Sequence, residues 1–150
     1  MMQLLIIPGK AIGKVNLGMD KSETETLIEN SPIFYNIEYD DYEKVSFIEV
    51  ANGAKDFYQC LIPDLNLEVF ETKASDIVEM LTKNNVYDED EESLAGLSYR
   101  FSDLGIAFWR PYNLKEEDTL EQWFKEMTPE NQHEEMKNFY FESISVFNPE

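Results

Sequence analysis

Ile12-Gly13-Lys14-Val15-Asn16-Leu17-Gly18-Met19-Asp20-Lys21-Ser22-Glu23 is the stretch whose reading decides the fold. Ile12, Val15 and Leu17 carry an extended, apolar segment, and Asp20-x-x-Glu23 has the form of a capping box. The segment therefore predicts a short strand over 12–17 that turns at Gly18 into a helix over 20–30. Ser31-Pro32 ends that helix, because proline disfavours helical backbone at the residue before it. Two β-rich runs follow, 34–39 and 44–50, separated by the polar Asp40-Asp41 turn.

The same order of elements recurs downstream. Phe57 to Ile62 and Leu65 to Phe70 read as strands broken at Pro63-Asp64, after the turn signal Asn52-Gly53. A helix is predicted over 72–84, where Ala74, Ile77, Val78 and Leu81 fall at i, i+3, i+4 and i+7. Residues 97–101 and 105–110 form a hairpin around Ser102-Asp103. The repeated order, strand, helix, strand, strand, suggests a tandem duplication. The expected fold class is α+β: one continuous antiparallel sheet with the helices at 20–30 and 72–84 packed on one face. Beyond it, Leu120, Trp123, Phe124 and Met127 mark a further helix introduced by Asp118-x-x-Glu121. Thr128-Pro129 opens another, to about Lys137, and Phe139 to Phe147 closes the chain as a strand.

A chain of 150 residues is sized for one domain, and nothing in it resembles a linker. Hydrophobic residues are 43 % and aromatic residues 13 %, so most of the chain can pay the entropy of folding. Charge is the unusual property: 31 acidic side chains against 12 basic ones give −19. Residues 1–35 carry three Lys and four acids, so almost all of that charge lies after them. It concentrates in Asp40, Asp41 and Glu43, and in the run Asp88-Glu89-Asp90-Glu91-Glu92. Such a surface repels phosphate backbones and anionic membranes, which argues against nucleic acid and membrane as partners. The single Cys excludes an intramolecular disulfide, and the N-terminus lacks the charged and apolar regions of a secretory signal, so a soluble cytoplasmic protein is expected.

Catalytic motifs are absent. Gly9 to Val15 has too short a glycine spacing for a phosphate loop and lacks the Ser or Thr after its Lys. His133, the only histidine, lies in a polar helix, and Cys60 lies among apolar strand neighbours. One His and one Cys do not make a zinc site, and no other metal or cofactor is implied. Carboxylate pairs carry no signal among so many acids. Trp109-Arg110-Pro111-Tyr112, at a strand end, is different, because Trp, Arg and Tyr dominate the energetics of protein interfaces.

The opening Ile12 to Glu23 resembles the G-x-[IV]-x-[LI]-G-M-[STD]-x-x-E signature of the β-lactamase-inhibitory-protein-like fold. It is similar to the start of small bacterial immunity proteins, which bind and neutralise delivered toxins. Gly105 to Arg110 and Phe141 to Val146 resemble strands of such proteins. The resemblance implies a non-enzymatic, cytoplasmic toxin-neutralising protein that blocks a basic toxin domain, expected to be a nuclease, by stoichiometric coverage. The expected contact residues are Asp40, Asp41, Glu43, Asp88, Glu89, Asp90, Glu91 and Glu92, with Trp109 and Tyr112 as anchors. A small-molecule-binding or regulatory α+β domain using the open sheet face is the second reading.

Overall fold

A computed structural model describes all residues, 1–150. Its strands are β1 (Gln3–Ile7), β2 (Ala11–Ile12), β3 (Val15–Asn16), β4 (Tyr35–Tyr39), β5 (Val45–Ala51), β6 (Gln59–Ile62), β7 (Leu67–Glu68), β8 (Ser98–Phe101), β9 (Ile106–Trp109) and β10 (Ser143–Phe147). The helices are α1 (Lys21–Ile28), α2 (Ala74–Thr82), α3 (Glu91–Leu94), α4 (Gln122–Lys125) and α5 (Pro129–Met136). The fold is α+β, as expected. In place of one continuous sheet there are two, ordered β3-β2-β1-β6-β7 and β4-β5-β10-β9-β8. The second is antiparallel throughout, and the first contains one parallel pair, β1 with β6.

The division has a local cause. Residues 12–17 do not run as one strand, because Gly13, at φ 61°, folds β3 back on β2. The chain then leaves the first sheet and pairs with the start of β5: Gly18 N–H donates to Val45 C=O, and Val45 N–H to Met19 C=O. Asp20 opens α1, but its carboxylate is taken by Lys44 and caps nothing, so the expected capping box does not form. β1 is the central strand of its sheet. The turn signalled by Asn52-Gly53 is a 3₁₀ turn over Asn52–Asp56. Likewise the expected helix near 118–127 divides into a 3₁₀ turn over Glu116–Leu120 and the short α4. Thr128 does cap α5, its hydroxyl accepting from Asn131 N–H at 3.2 Å.

The two sheets enclose one core. Ile6 and Ile12 from the first, Ile48, Phe108, Ile144 and Val146 from the second, and Ala74, Ile77 and Leu81 from α2 belong to one buried cluster. The sheets also meet where Gly9 N–H and Phe147 N–H both donate to Gly105 C=O at 3.1 Å. A Cβ on Gly105, which has φ +74°, would stand 2.3 Å from the Phe147 carbonyl oxygen. Only glycine allows that approach.

Along β10, Ile144 and Val146 face the core, while Ser143, Ser145 and Phe147 take the opposite face, where Ser145 and Phe147 are covered as well. Ile144→Ala removes a fully buried side chain from the middle of the sheet and is expected to cost about 2–5 kcal/mol. Ser143→Ala, next to it on the opposite face, removes one long hydrogen bond to Glu49 at 3.4 Å and is expected to cost no more than about 1 kcal/mol. Urea denaturation of the two variants checks the difference.

Candidate partner interface

The second sheet has two ends and two edges, and they hold the expected contact residues apart. β4 and β8 are its edges. Asp40, Asp41 and Glu43 lie in the β4–β5 turn. Trp109 is level with Ser143 and Ser98 at the opposite end, which Ala51 also reaches. Asp88 to Glu92 run beside β8. Four strand spacings of about 4.8 Å, about 19 Å in all, separate the two edges. The acids expected to form one docking face therefore form two separate groups.

Not all of those acids are available. Asp40 Oδ1 accepts from the N–H groups of Tyr42 and Lys44 at 2.9 and 3.0 Å, and so builds the turn. Asp88 accepts from the Ser102 hydroxyl and lies 3.8 Å from Arg100 Nε. Asp90 caps α3: its carboxylate accepts from Ser93 N–H at 2.7 Å, while its own N–H donates to the Ser93 hydroxyl at 2.9 Å. Glu89, Glu91 and Glu92 are exposed and pair with no cation.

The end of β9 brings α3 and Trp109 to one corner. Leu97 N–H donates to Glu92 C=O, Arg110 N–H to Leu97 C=O, and Glu142 N–H to Trp109 C=O. Arg110 is buried, and its guanidinium pins three backbone segments there. Nε donates to Gly96 C=O at 2.9 Å, Nη1 to Asn138 C=O at 3.0 Å and Nη2 to Asn113 Oδ1 at 2.9 Å. Burial lowers its pKa, and Tyr99 beside it acts in the opposite sense. Gly96, at φ +77°, lets Asn113 close in, since a Cβ there would be 2.2 Å from the Asn113 amide nitrogen. On this rigid corner stand exposed apolar side chains: Trp109 at 37 %, Tyr112 at 45 % and Leu94 at 82 %. Leu94 is the residue that sequence reasoning missed. Its signal was a lone Leu two residues after five acids, on a helix too short for periodicity to register.

Grooves of about 460 and 360 Å³ lie elsewhere. The first is lined by Tyr58, Cys60, Glu68 and Phe70 on the first sheet, and the second by Asp20, Glu25 and Tyr42 near the start of α1. No three His, Cys, Asp or Glu side chains converge to hold a metal ion, and no helix is long and apolar enough to cross a membrane. His133 is exposed on α5. Burial, with Glu68 and Glu71 nearby, pushes the Cys60 thiol from 9.0 to about 11. Burial, with Tyr58 and Cys60 nearby, pushes the Tyr35 phenol from 10.0 to about 12. Neither is a nucleophile at neutral pH.

The sequence matches no family model and no curated protein, and no solved structure matches the fold. The likeness of residues 12–23 to a repeat opening is thus carried by those residues alone.

Two measurements follow from this chemistry. Arg110→Lys cannot reproduce the fork, so buried acceptors at Gly96, Asn113 and Asn138 lose their donor. A cost of about 1–3 kcal/mol for each acceptor left dry is expected, read as a fall in the urea midpoint. Cys60 and Tyr35 both have raised folded-state pKa values, so the stability they lend is complete below their unfolded values and is lost as pH rises through the folded ones. Stability should therefore decline from about pH 9 to about pH 12, and Cys60→Ala should remove the part between about 9 and 11.

Proposed function

We propose that this chain is a protein-binding domain that neutralises a basic bacterial toxin domain by covering it, with no chemistry of its own. The observation that carries the reading is the β8–β9 corner. There exposed Trp109 and Tyr112 flank an Arg that fixes the loop, beside α3 and its uncompensated Glu91 and Glu92. Aromatic anchors on a preorganised backbone lose little entropy on binding. Free carboxylates beside them favour a cationic partner. A toxin that cleaves nucleic acid has a basic cleft, because that cleft binds phosphates, and an acidic face laid over it excludes substrate. The short resemblance of residues 12–23 to immunity proteins points the same way. The domain would act in the cytoplasm of the cell that carries the toxin.

The contact set contracts accordingly. Glu89, Glu91, Glu92, Trp109 and Tyr112, with Leu94 added, make this interface, while Asp88 and Asp90 hold its shape. Asp40, Asp41 and Glu43 lie beside the other edge of the sheet, outside this cluster.

The test is co-expression with nuclease toxin domains carrying a basic cleft, beginning with any encoded next to this chain, followed by binding kinetics with the purified pair. Growth rescue by the native chain is expected, and rescue by His133→Ala as well. Charge reversal at Glu89, Glu91 and Glu92 should slow association, and raising salt from about 50 to about 500 mM should do the same by screening. Trp109→Ala should raise the off-rate roughly 30-fold, as loss of a hot spot worth about 2 kcal/mol would. An association rate indifferent to both salt and charge reversal would mean that the acidity serves solubility alone.

A further inference from the structure

Sheet edges expose backbone donors and acceptors, and proteins usually blunt them. Three of the four edges here are blunted. β3 and β7 are two residues each. β8 is covered, since Asp88 N–H donates to Arg100 C=O at 2.8 Å. β4 is not: it has five residues, contains neither Lys nor Pro, and its only neighbour is β5.

The direction of its free groups follows from alternation. Asn52 N–H donates to Glu142 C=O, so Val50 and Ile48 point their backbone groups at β10. Phe47 and Glu49 then face β4 and bond Glu38 and Asn36, their registered partners. That leaves the N–H and C=O of Tyr35 and Ile37 pointing outward, and neither residue bonds any loop. Phe34 and Tyr42, 83 % and 84 % exposed, bracket the strand.

We propose that the outer edge of β4 receives an extended segment of a basic protein, which adds to the sheet as a further strand. Charge selects the occupant. Exposed Glu38 and Asn36 project on the open face of the strand, and Asp41 and Glu43 are exposed in the turn beyond it. The nearby cations are committed: Lys44 pairs with Asp20, and Lys21 lies over the Tyr39 ring at 5.4 Å. An incoming strand would set Lys or Arg against Glu38 and Asn36, and apolar residues against Tyr35, Ile37 and Tyr39 on the other face. A second copy is disfavoured, because two chains of −19 would be brought edge to edge. This edge lies across the sheet from the Trp109 corner, and the proposal stands independently of the function proposed above.

The probe is a short, end-capped, fluorescently labelled peptide alternating valine with lysine. Its controls are the valine–glutamate version and a peptide of the same composition with the valines and lysines in two blocks. The alternating lysine peptide is expected to bind and to protect the Tyr35 and Ile37 amides from hydrogen exchange; the controls should do neither. Glu38→Lys should weaken binding about tenfold or more. Ile37→Pro removes an outward N–H without touching the β5 ladder and should abolish binding in a chain that circular dichroism shows folded. Trp109→Ala should leave binding unchanged. If Ile37→Pro does not fold, Glu38→Lys and the amide protection decide. The proposal is overturned if the block peptide binds equally well, or if protection falls elsewhere. It is also overturned if the native chain sediments as a dimer that Ile37→Pro dissociates.

Discussion

Without β10 the second sheet is two separate hairpins, β4–β5 and β8–β9, and an isolated hairpin is marginal in water. Ser143–Phe147 lies between them and bonds both, pairing Ile144 with Val50 on one side and with Phe108 on the other. Val146 likewise pairs with Ile48 and Ile106. The side chains so aligned make up much of the second sheet's share of the core, and β10 also carries Phe147 to the Gly105 carbonyl where the sheets meet. The strand joins residues almost a hundred positions apart in the chain. Its loop-closure cost falls before any reward, so this assembly is of the slow, non-local kind.

The helical part of this architecture was the more legible in the sequence. α2 was found by the spacing of Ala74, Ile77 and Leu81, all of which are buried, and α5 by Thr128-Pro129. Both signals are local. The β8–β9 hairpin was legible too, because its strands are adjacent in the chain. What escaped depended on distant partners. Gln3–Ile7 reads as an apolar run with no polar alternation, and its central place comes from the parallel β6, which pairs Gln3 with Gln59. The Asp20 cap was lost because Lys44, brought close by the sheet junction, outcompetes a helix N–H for the carboxylate. Two sheets formed where one was expected because Gly13 reverses a segment that reads as continuous.

The candidate site was legible as residue types and not as geometry. Trp109 and Tyr112 were identified from their chemistry and are exposed on a fixed corner. Arg110, between them, reads in sequence as a third contact residue but is buried, and it acts by tying Gly96, Asn113 and Asn138 together. The acidic residues show the same divergence. A run such as Asp88 to Glu92 looks uniform in sequence. The structure divides it: Asp90 caps the N–H of Ser93, Asp88 turns to the Ser102 hydroxyl and Arg100, and the glutamates reach into solvent. Asp40, Asp88 and Asp90 have become structural, and Glu43, Glu89, Glu91 and Glu92 have not.

That division changes what a net charge of −19 can mean here. Field strength at a distance depends on the total and is indifferent to which carboxylates hold turns or caps. Contact energy depends on the carboxylates left without a cation, and of those considered for binding, Asp41 and Glu43 lie by one edge of the second sheet and Glu89, Glu91 and Glu92 by the other. The β8 edge is already sealed by Asp88, so what it offers a partner is side chains: Trp109, Tyr112, Leu94 and the free glutamates. On the β4 edge the backbone of Tyr35 and Ile37 is bare, so an added strand would be held by main-chain hydrogen bonds with charge setting the preference. Each group lends its field to the other's encounter step, while the short-range contacts remain separable. Under the two proposals, one sheet would attract cationic proteins as one body and hold them by two different kinds of contact.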